Sequence, residues 1–231
     1  MLFTSLTAAR LEQERLRHQV IFEDHFSALN LVAGVDVAFA EQGRWSKAAV
    51  VVMTYPDLQV VETAIAAIPT VFPYYSGFLS FREMPVILAA WGKLQHQPDL
   101  IWCDGQGIAH PRRFGLACHL GVCLDLPTVG VAKSRLIGSY DPVPEEKGAW
   151  VNLRQRQETI GIVLRSRTHI KPLFISVGHK VSLDSARQLV INCLGRYRLP
   201  EPTRQADKVS KLPLAHFLPD LTESDAQPQD F

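Results

Sequence analysis

Long apolar runs are missing from this sequence of 231 residues. No stretch approaches the roughly 18–20 apolar residues that a membrane helix needs. Charged residues also interrupt the first twenty positions, where a secretory signal would require an unbroken apolar run. We therefore expect a cytoplasmic protein that makes no contact with a membrane. Glycine and proline are few, with 14 and 15 residues, which excludes collagen-like and linker-dominated chains.

Cysteine is scarce as well, with four residues and no Cys-x-x-Cys spacing. This argues against a disulfide framework and against a structural zinc site. The cysteines lie in apolar segments, so we expect reduced thiols in the core, which agrees with a cytoplasmic compartment. They are Cys103, Cys118, Cys123 and Cys193.

The chain has almost no net charge, since its formal net charge is +1. The charge is nevertheless uneven. Residues 220–231 contain four acids and no lysine or arginine, whereas residues 131–204 contain thirteen Lys and Arg against six Asp and Glu. A basic region suits the binding of a phosphate backbone, and it is equally typical of an unevenly charged surface. Charge alone leaves both interpretations open.

Apolar residues make up 47% of the chain and charged residues 20%, the balance of an ordinary globular domain. We expect one domain over residues 1–219 and a flexible acidic tail over 220–231. Strand patterns separated by short turns predict an antiparallel start, and the alternation of helices and strands over 83–132 predicts parallel crossover connections. The fold class is therefore α/β. The predicted strands are 31–39, 48–55, 58–66, 100–103, 128–132, two within 150–164, and 173–177; the predicted helices are 6–21, 83–96, 110–124 and 182–193.

Asp36 stands in the middle of the first predicted strand, where the pattern calls for an apolar side chain. It shares a face with Gly34 and Ala38, whose small size would leave room for a metal ion and a substrate phosphate. An unpaired carboxylate on a buried strand costs several kcal/mol, so some group must compensate for it. A buried arginine or a position near the sheet edge is the alternative explanation.

Asp104 and Glu83 extend this pattern. Asp104 follows the strand predicted at 100–103, at the edge where open α/β sheets bind ligands, although an Asp before glycine is also typical of a plain turn. Glu83 opens the helix predicted at 83–96 and can lean inward, although the helix dipole alone favours an acid there. With Asp36, these oxygen ligands predict a site for a hard divalent cation, with Mg²⁺ preferred over softer metals.

Such a site has a definite chemistry. Carboxylates that hold Mg²⁺ can activate water and stabilise the charge that develops when a phosphodiester bond is displaced. Lys133 ends the strand predicted at 128–132, at the same edge as Asp104, where its ammonium group can neutralise a leaving oxyanion. A solvated lysine at a strand end is the alternative.

Five segments, in order along the chain, resemble the motifs of the bacterial endonuclease V family of deoxyinosine 3′-endonucleases. The resemblance spans about residues 5–210. Two motifs are long and specific: Leu-Ser-Phe-Arg-Glu at 79–83 and Asp-Gly-Gln-Gly-Ile-Ala-His-Pro-Arg at 104–112. The resemblance implies a ribonuclease H-like fold, a mixed β-sheet flanked by helices, which agrees with the predicted elements. The five segments are 34–37, 73–83, 104–113, 130–133 and 199–204.

The resemblance also assigns functional residues. It implies a Mg²⁺ site formed by four acids, at which we expect Mn²⁺ to substitute, together with an active-site lysine and histidine. Without it, Asp207 reads as an ordinary exposed helix residue and His110 as a histidine at a helix start. The implied metal residues are Asp36, Glu83, Asp104 and Asp207, and the implied catalytic residues are Asp36, Glu83, Asp104, Lys133 and His110.

DNA recognition is implied for the loop 73–77 and for a pocket beside it. The loop matches a wedge that enters at the lesion, where an aromatic ring can fill the space of an extruded base and stack on its neighbours. Packing on the core remains the alternative for Phe72 and Tyr75. Tyr75 and Ser76 replace the Ile and Pro usual in the family, and loss of that proline is expected to loosen the wedge. The implied DNA-binding residues are Pro73, Tyr74, Gly77, Leu79, Gly105, Leu116 and Leu136.

The sequence thus predicts a Mg²⁺-dependent DNA repair endonuclease that acts as a monomer. By the resemblance, it recognises deoxyinosine through a pocket that accepts hypoxanthine, and it hydrolyses the second phosphodiester bond 3′ to the lesion. The products carry a 3′-hydroxyl and a 5′-phosphate. Two alternatives are a nuclease of the same fold acting on inosine-containing RNA or branched DNA, and a non-catalytic lesion-binding module. Acids at all four positions argue against the module, since clustered negative charge would repel phosphates.

Overall fold

Eight strands form one mixed sheet in the computed structural model, which describes residues 5–218. The strands are β1 (Leu31–Ala40), β2 (Trp45–Thr54), β3 (Val60–Pro69), β4 (Leu100–Cys103), β5 (Thr128–Ala132), β6 (Trp150–Gln155), β7 (Glu158–Leu164) and β8 (Leu173–His179). Their order in the sheet is β3-β2-β1-β4-β5-β8-β7-β6. β4 is parallel to β1 and to β5, and the other neighbouring strands are antiparallel. The predicted antiparallel start and the parallel crossovers are both confirmed.

Helices flank the sheet. They are α1 (Leu6–Leu16), α2 (Leu79–Trp91), α3 (Leu116–Leu124), α4 (Leu183–Asn192) and α5 (Glu201–Ser210). Because side chains alternate along a strand, Val35 of β1 packs on one face with Ile87 of α2 and Leu120 of α3. Val32 belongs to a second buried cluster, with Ala206 of α5 and the buried residues of α4. The predicted α/β fold, a mixed sheet flanked by helices, is confirmed.

Helix α2 starts earlier than the sequence pattern suggests. It begins at Leu79, four residues before the helix predicted at 83–96. Phe81 in its first turn is buried in a cluster with Phe72, so the start of α2 packs on the aromatic residues of the segment before it. Glu83 therefore lies in the second turn, and the prediction that it opens the helix is wrong.

Helix α3 starts later than predicted, at Leu116 rather than near residue 110. The preceding residues form a turn, in which the Arg113 N–H donates to the His110 carbonyl at 2.9 Å. The φ of Arg113 is +56°, a left-handed conformation that a helix cannot contain. His110 is therefore a loop residue and not a helix start.

Three of the four cysteines are buried as expected, but Cys123 is exposed in the last turn of α3. The prediction of four core thiols is therefore wrong for Cys123. None of the helices within residues 5–218 is long and apolar enough to cross a membrane. The segment predicted as an acidic tail, residues 220–231, lies outside the described residues.

Candidate active site

Asp36 is buried in the middle of β1 and faces α5, since the Ser210 hydroxyl of that helix donates to Asp36 Oδ2. Gly34 lies two residues earlier on the same face. A Cβ atom at Gly34 would stand 1.9 Å from the Pro202 carbonyl oxygen. The absence of a side chain therefore admits the backbone of α5. The space expected to be open above Gly34 is filled by this helix, which corrects the sequence-based expectation.

Three acids converge beside this contact. One carboxylate oxygen from each of Asp36, Asp104 and Asp207 lies within 4.8 Å of the other two. Asp104 is held next to Asp36 because its N–H donates to the Val35 carbonyl at 3.0 Å and so continues the parallel pairing of β1 with β4. Asp207 comes from α5, and its side chain is 16% exposed. It is therefore a helix residue, as expected, but not an exposed one.

Lysines contact two of these carboxylates. The Lys133 ammonium, just after β5, forms ion pairs with Asp104 Oδ2 and Asp207 Oδ1. Lys211 Nζ lies 2.6 Å from Asp207 Oδ2. The predicted placement of Lys133 at the same edge as Asp104 is observed, and its ammonium group lies among the acids.

The acids do not share one electrostatic environment. Burial, and next the charge of Asp104, raises the pKa of Asp36 to about 7. Burial, followed by the charges of Asp36 and Asp104, raises the pKa of Glu83 well above its usual value. Burial opposes ionisation of Asp207 too, but hydrogen bonds from its two lysine partners outweigh it and lower that pKa. Four acids face two lysines here, so their full ionisation would leave an excess of negative charge, and a divalent cation would relieve it.

Glu83 approaches the cluster from α2. It is buried, and its pKa responds to the charges of both Asp36 and Asp104. Within residues 5–218, however, it is not among the acids whose oxygens converge within 4.8 Å. The structure thus brings three of the four predicted metal residues together, with Glu83 close enough to feel their charge but outside the converging set.

The donor set fits a hard divalent cation. The converging atoms are carboxylate oxygens, the ligands that Mg²⁺ and Mn²⁺ prefer, and no thiol or imidazole belongs to the set. Asp104 Oδ2 is buried, and its partner among the described residues is the Lys133 ammonium. A buried oxygen in this position is what a metal ligand requires.

Without divalent cations, stability is expected to fall as the pH rises above 6.5. Burial lowers the pKa of His110 and of His119 to about 4, so folding releases their protons and favours higher pH between about 4 and 6.5. Asp36 and Glu83 have raised pKa values, so their folded forms bind protons more tightly and their contribution to stability falls as the pH rises from about 4. Above pH 6.5 the histidines no longer contribute, and each of the two acids lowers the free energy of unfolding by about 1.4 kcal/mol per pH unit within its titration range.

Thermal unfolding in EDTA at pH 6.5, 7.5 and 8.5 measures this effect. Tm is expected to fall across the series, and the fall should be smaller in Glu83→Gln, which removes one of the two buried carboxyls. Added Mg²⁺ should restore Tm most at pH 8.5, where the acids are most ionised. A Tm in EDTA that stays constant across the series would contradict the prediction.

A cavity of about 350 Å³ opens beside the acids and shares Asp104 and Lys133 with them. We call it the base cavity. Its walls include most of the residues expected to bind DNA, although Pro73 does not line it. The predicted residues that do line it are Tyr74, Gly77, Leu79, Gly105, Leu116 and Leu136.

The loop 73–77 forms the rim of the base cavity. Tyr74 is 67% exposed, whereas Phe72 is buried. Tyr75 is 43% exposed, and its ring packs edge-on against Phe72 with centroids 6.2 Å apart. The alternative to DNA contact, packing on the core, therefore holds for Phe72 and in part for Tyr75. Tyr74 remains free to contact a ligand.

Three side chains hold the end of this loop. The Gly77 carbonyl accepts hydrogen bonds from Gln13 Nε2 at 3.1 Å, from His110 Nε2 at 3.1 Å and from the Arg112 guanidinium. Gly77 has a φ of +77°, which favours glycine. These bonds anchor the loop at the position that follows Ser76, where the family's second proline is missing. The loosening expected from its loss is opposed by this anchor.

His110 is neutral at physiological pH, because burial and then the charge of Arg112 lower its pKa to about 4. Its Nδ1 accepts from the Arg112 N–H at 3.2 Å, so its proton is on Nε2, the atom that faces the Gly77 carbonyl. These hydrogen bonds connect His110 to the loop rather than to the acids. Its predicted catalytic role stays a prediction.

Sequence reasoning missed Gln13 and Ser210. Gln13 is buried on α1 in line with Ala9 and Leu16, so a polar residue on an apolar helical stripe was the available signal. Ser210 is buried on α5 three residues after Asp207, and only the docking of α5 on β1 shows that it reaches Asp36. Both residues position groups that the sequence did identify.

Comparisons with known proteins identify the family of this chain. The family model described as Endonuclease V matches residues 14–208. A relative named Endonuclease V from Rippkaea orientalis is 57% identical over 206 residues, covering 89% of this chain and 90% of the relative. The crystal structure of Endonuclease V from Streptomyces avermitilis superposes with a TM-score of 0.88 at 41% identity, covering 93% of this chain and 95% of that one.

A further solved structure contains nucleic acid. Endonuclease V from Ciona intestinalis, bound to a 23mer DNA containing an inosine followed by a ribo-adenosine, superposes with a TM-score of 0.76 at 30% identity. The match covers 89% of this chain and 95% of that one. From the matching family model, the identity to its relatives and the shared fold, this chain belongs to the Endonuclease V family and is an endonuclease.

Proposed function

We propose that this protein is a Mg²⁺-dependent repair endonuclease that recognises deoxyinosine in DNA and hydrolyses the second phosphodiester bond on its 3′ side. The products carry a 3′-hydroxyl and a 5′-phosphate. The observation that carries the proposal is the cluster of Asp36, Asp104 and Asp207 directly beside the base cavity. The inosine-containing DNA bound by the Ciona relative supports the same substrate. We further propose that the protein acts as a monomer in the cytoplasm.

The base cavity suits a flipped purine without a 6-amino group. Gly105 forms part of its wall, and a Cβ there would contact the Leu116 side chain at 3.3 Å. The absence of a side chain lets a base approach the main chain. Because the Gly105 N–H already donates to the Cys103 carbonyl at 2.9 Å, the donors to the 6-oxo group of hypoxanthine would be main-chain N–H groups of other wall residues, which cannot donate to an amine in the same way. Leu116 and Leu136 supply apolar surface for the ring.

The proposed chemistry follows from where the chain's own groups lie. Asp36, Asp104 and Asp207 would hold Mg²⁺, which when bound activates water and stabilises charge on the phosphate. Ser210 orients Asp36 by donating to its Oδ2. Glu83 could position a water molecule, and in its ionised form it could accept a proton from it; its raised pKa makes that form a stronger base.

Lys133 is placed to act on the leaving group of the proposed displacement. Its ammonium group contacts Asp104 and Asp207 and also lines the base cavity. A strand with its lesion base in that cavity would present the leaving 3′-oxygen beside this charge. Lys133 is therefore placed to stabilise the oxyanion as the bond breaks.

Nicking of an end-labelled duplex with a single deoxyinosine tests the proposal. In Mg²⁺ we expect one product that ends one nucleotide beyond the lesion, and in EDTA none. Mn²⁺ should restore cutting, and a duplex with deoxyadenosine at the same position should stay intact. Cutting in EDTA, or equal cutting of both duplexes, would refute the proposal.

Replacing Tyr74 by alanine is expected to reduce cutting of duplex substrate much more than cutting of single-stranded substrate. Tyr74 is exposed at the rim of the base cavity, and an aromatic ring there can replace the stacking of an extruded base, worth about 1–3 kcal/mol. A single strand needs little such compensation. We expect a roughly tenfold or larger fall in kcat/KM on the duplex.

Tyr74→Phe serves as the conservative variant and Tyr140→Ala as the control. Phe keeps the stacking surface, so it should retain duplex activity. Tyr140 is less exposed than Tyr74, at 38% against 67%, but it is also a surface tyrosine; it packs against Phe174 and does not line the base cavity. Equal losses on duplex and single-stranded substrates in Tyr74→Ala would show that the ring does not act as a wedge.

Cleavage next to ribose is a second candidate activity. The nucleic acid bound by the Ciona relative has a ribo-adenosine directly after the inosine. Contacts to a 2′-hydroxyl distinguish RNA from DNA. Competition between inosine-containing RNA and DNA strands of equal sequence would decide which substrate has the higher kcat/KM.

A further inference from the structure

A second cavity, also of about 350 Å³, lies on the other side of the acid cluster. We call it the basic cavity. It shares Lys133 with the base cavity, and Asp207 lines it. The cluster therefore stands between the two, with Asp104 towards the base cavity and Asp207 towards the basic cavity. A strand that enters the base cavity and passes the acids continues into the basic cavity.

The basic cavity is lined mainly by cations. Four of its seven lining residues are Lys or Arg, and Asp207 is the one acid among them. Arg198 is held in place because its guanidinium donates to the carbonyls of Lys171, Pro172 and Lys133 at 2.6–2.9 Å. Fixed positive charge beside a phosphodiester-cleaving site is suited to binding further phosphates of the same strand.

Tyr197 and Arg204 form the part of this cavity that reaches away from the acids. Tyr197 is 40% exposed, and the Arg204 guanidinium lies 4.5 Å from its ring centre. Arg204 is fixed on its other side by Glu201, with Nε to Oε2 at 2.7 Å and Nη2 to Oε1 at 2.5 Å. A guanidinium has five N–H groups. Glu201 accepts two of those of Arg204, and the other three can donate to a ligand. Arg204 is thus held ready for a phosphate.

The geometry points to a binding site for the backbone of the cleaved strand on the 3′ side of the scissile bond. Its phosphates would contact Arg204 and Lys211, and Tyr197 would keep Arg204 in position. The direction of the strand rests on the proposed function, because the lesion in the base cavity and a cut on its 3′ side leave the basic cavity for the nucleotides beyond. The ligand is the sugar–phosphate backbone of a nucleic acid strand, read without regard to sequence.

Shortening the substrate tests this site. Two labelled duplexes carry one deoxyinosine; in one, the lesion strand continues well beyond the cleaved bond, and in the other it ends one nucleotide after it. For the wild type we expect a several-fold higher KM on the shortened duplex with little change in kcat. Arg204→Gln should raise KM on the long duplex to a similar level and show no further increase on shortening.

A binding measurement in EDTA gives a readout that needs no cleavage. Fluorescence anisotropy with the long duplex over a range of salt concentrations yields the slope of log Kd against log salt. Loss of one phosphate contact in Arg204→Gln should reduce this slope by about one unit. Tyr197→Ala should reduce it as well, and Tyr197→Phe should not, because phenylalanine keeps the ring that holds Arg204.

Arg15→Gln is the matched control. Arg15 on α1 forms the same bidentate i,i+3 pair, with Glu12, at 2.8 and 2.6 Å. It should keep both the wild-type salt slope and the effect of shortening. If Arg204→Gln and Tyr197→Ala do the same, the backbone site is refuted. If the wild type does not cut the inosine strand at all, the proposed function fails, while the slopes in EDTA still decide whether the basic cavity binds phosphates.

Discussion

Asp36→Asn is expected to lower kcat/KM on deoxyinosine DNA by about a thousandfold or more, because it removes one of three converging metal ligands. The same change should raise the stability of the metal-free protein above pH 7. Asp36 is buried next to Asp104, and its pKa of about 7 means that it becomes charged there at an energetic cost. Asparagine has nearly the same shape and can still accept the Ser210 hydroxyl, so the core packing is kept.

Cleavage rates and thermal unfolding in EDTA at pH 8 measure the two effects on one preparation. Asp125→Asn provides the control, because Asp125 is an exposed acid paired with Lys180 at 2.7 Å and asparagine tolerates its left-handed backbone. Asp125→Asn should neither lower the cleavage rate nor raise Tm as Asp36→Asn does. An Asp36→Asn protein with wild-type cleavage, or one that is inactive because Tm has fallen, would contradict the assignment of Asp36 to metal binding.

Gly34→Ala is expected to destabilise the protein and to weaken its metal site together. The added methyl would stand 1.9 Å from the Pro202 carbonyl oxygen, a backbone atom, so α5 has to move away from β1. Overpacking of this kind typically costs about 1–3 kcal/mol, which lowers Tm by about 2–4 °C per kcal/mol for a protein of this size. Asp207 and Ser210 lie on the same helix and would move with it.

The measurements are Tm in EDTA and the Mg²⁺ concentration that gives half-maximal cleavage, which should rise several-fold. Gly195→Ala is a suitable control, since a Cβ there has no heavy atom within 4 Å and no positive φ to strain. A Gly34→Ala protein with lowered Tm but an unchanged Mg²⁺ requirement would mean that the position of α5 does not govern metal binding. An unchanged Tm would show that α5 does not press on β1 in solution.

Sequence patterns located Asp36 because it interrupts an apolar strand, and Asp104 because it directly follows one at the edge where α/β sheets bind ligands. They placed Glu83 less well. The aromatic segment before it resembles a loop, yet α2 already begins at Leu79 and its first turn is buried through Phe81.

Asp207 could be assigned only by resemblance to a family. Nothing in the periodicity of residues 201–210 indicates which strand the helix contacts, and the close approach of Pro202 to Gly34 joins positions that are far apart in the chain. The same limit applies to Ser210. Gln13 is different, because its place on the buried stripe of α1 could have been noticed, although its partner Gly77 could not.

The docking of α5 on β1 also has a consequence for synthesis of the protein. A nascent chain exposes Asp36, Glu83 and Asp104 long before the ribosome has added Asp207, which is the last of the cluster to be made. At a synthesis rate of about 5–20 residues per second, the nascent chain would spend several seconds in this incomplete state. Because the cluster needs Asp207 of α5, an unfinished nuclease would not cut nucleic acid before its recognition surfaces are complete.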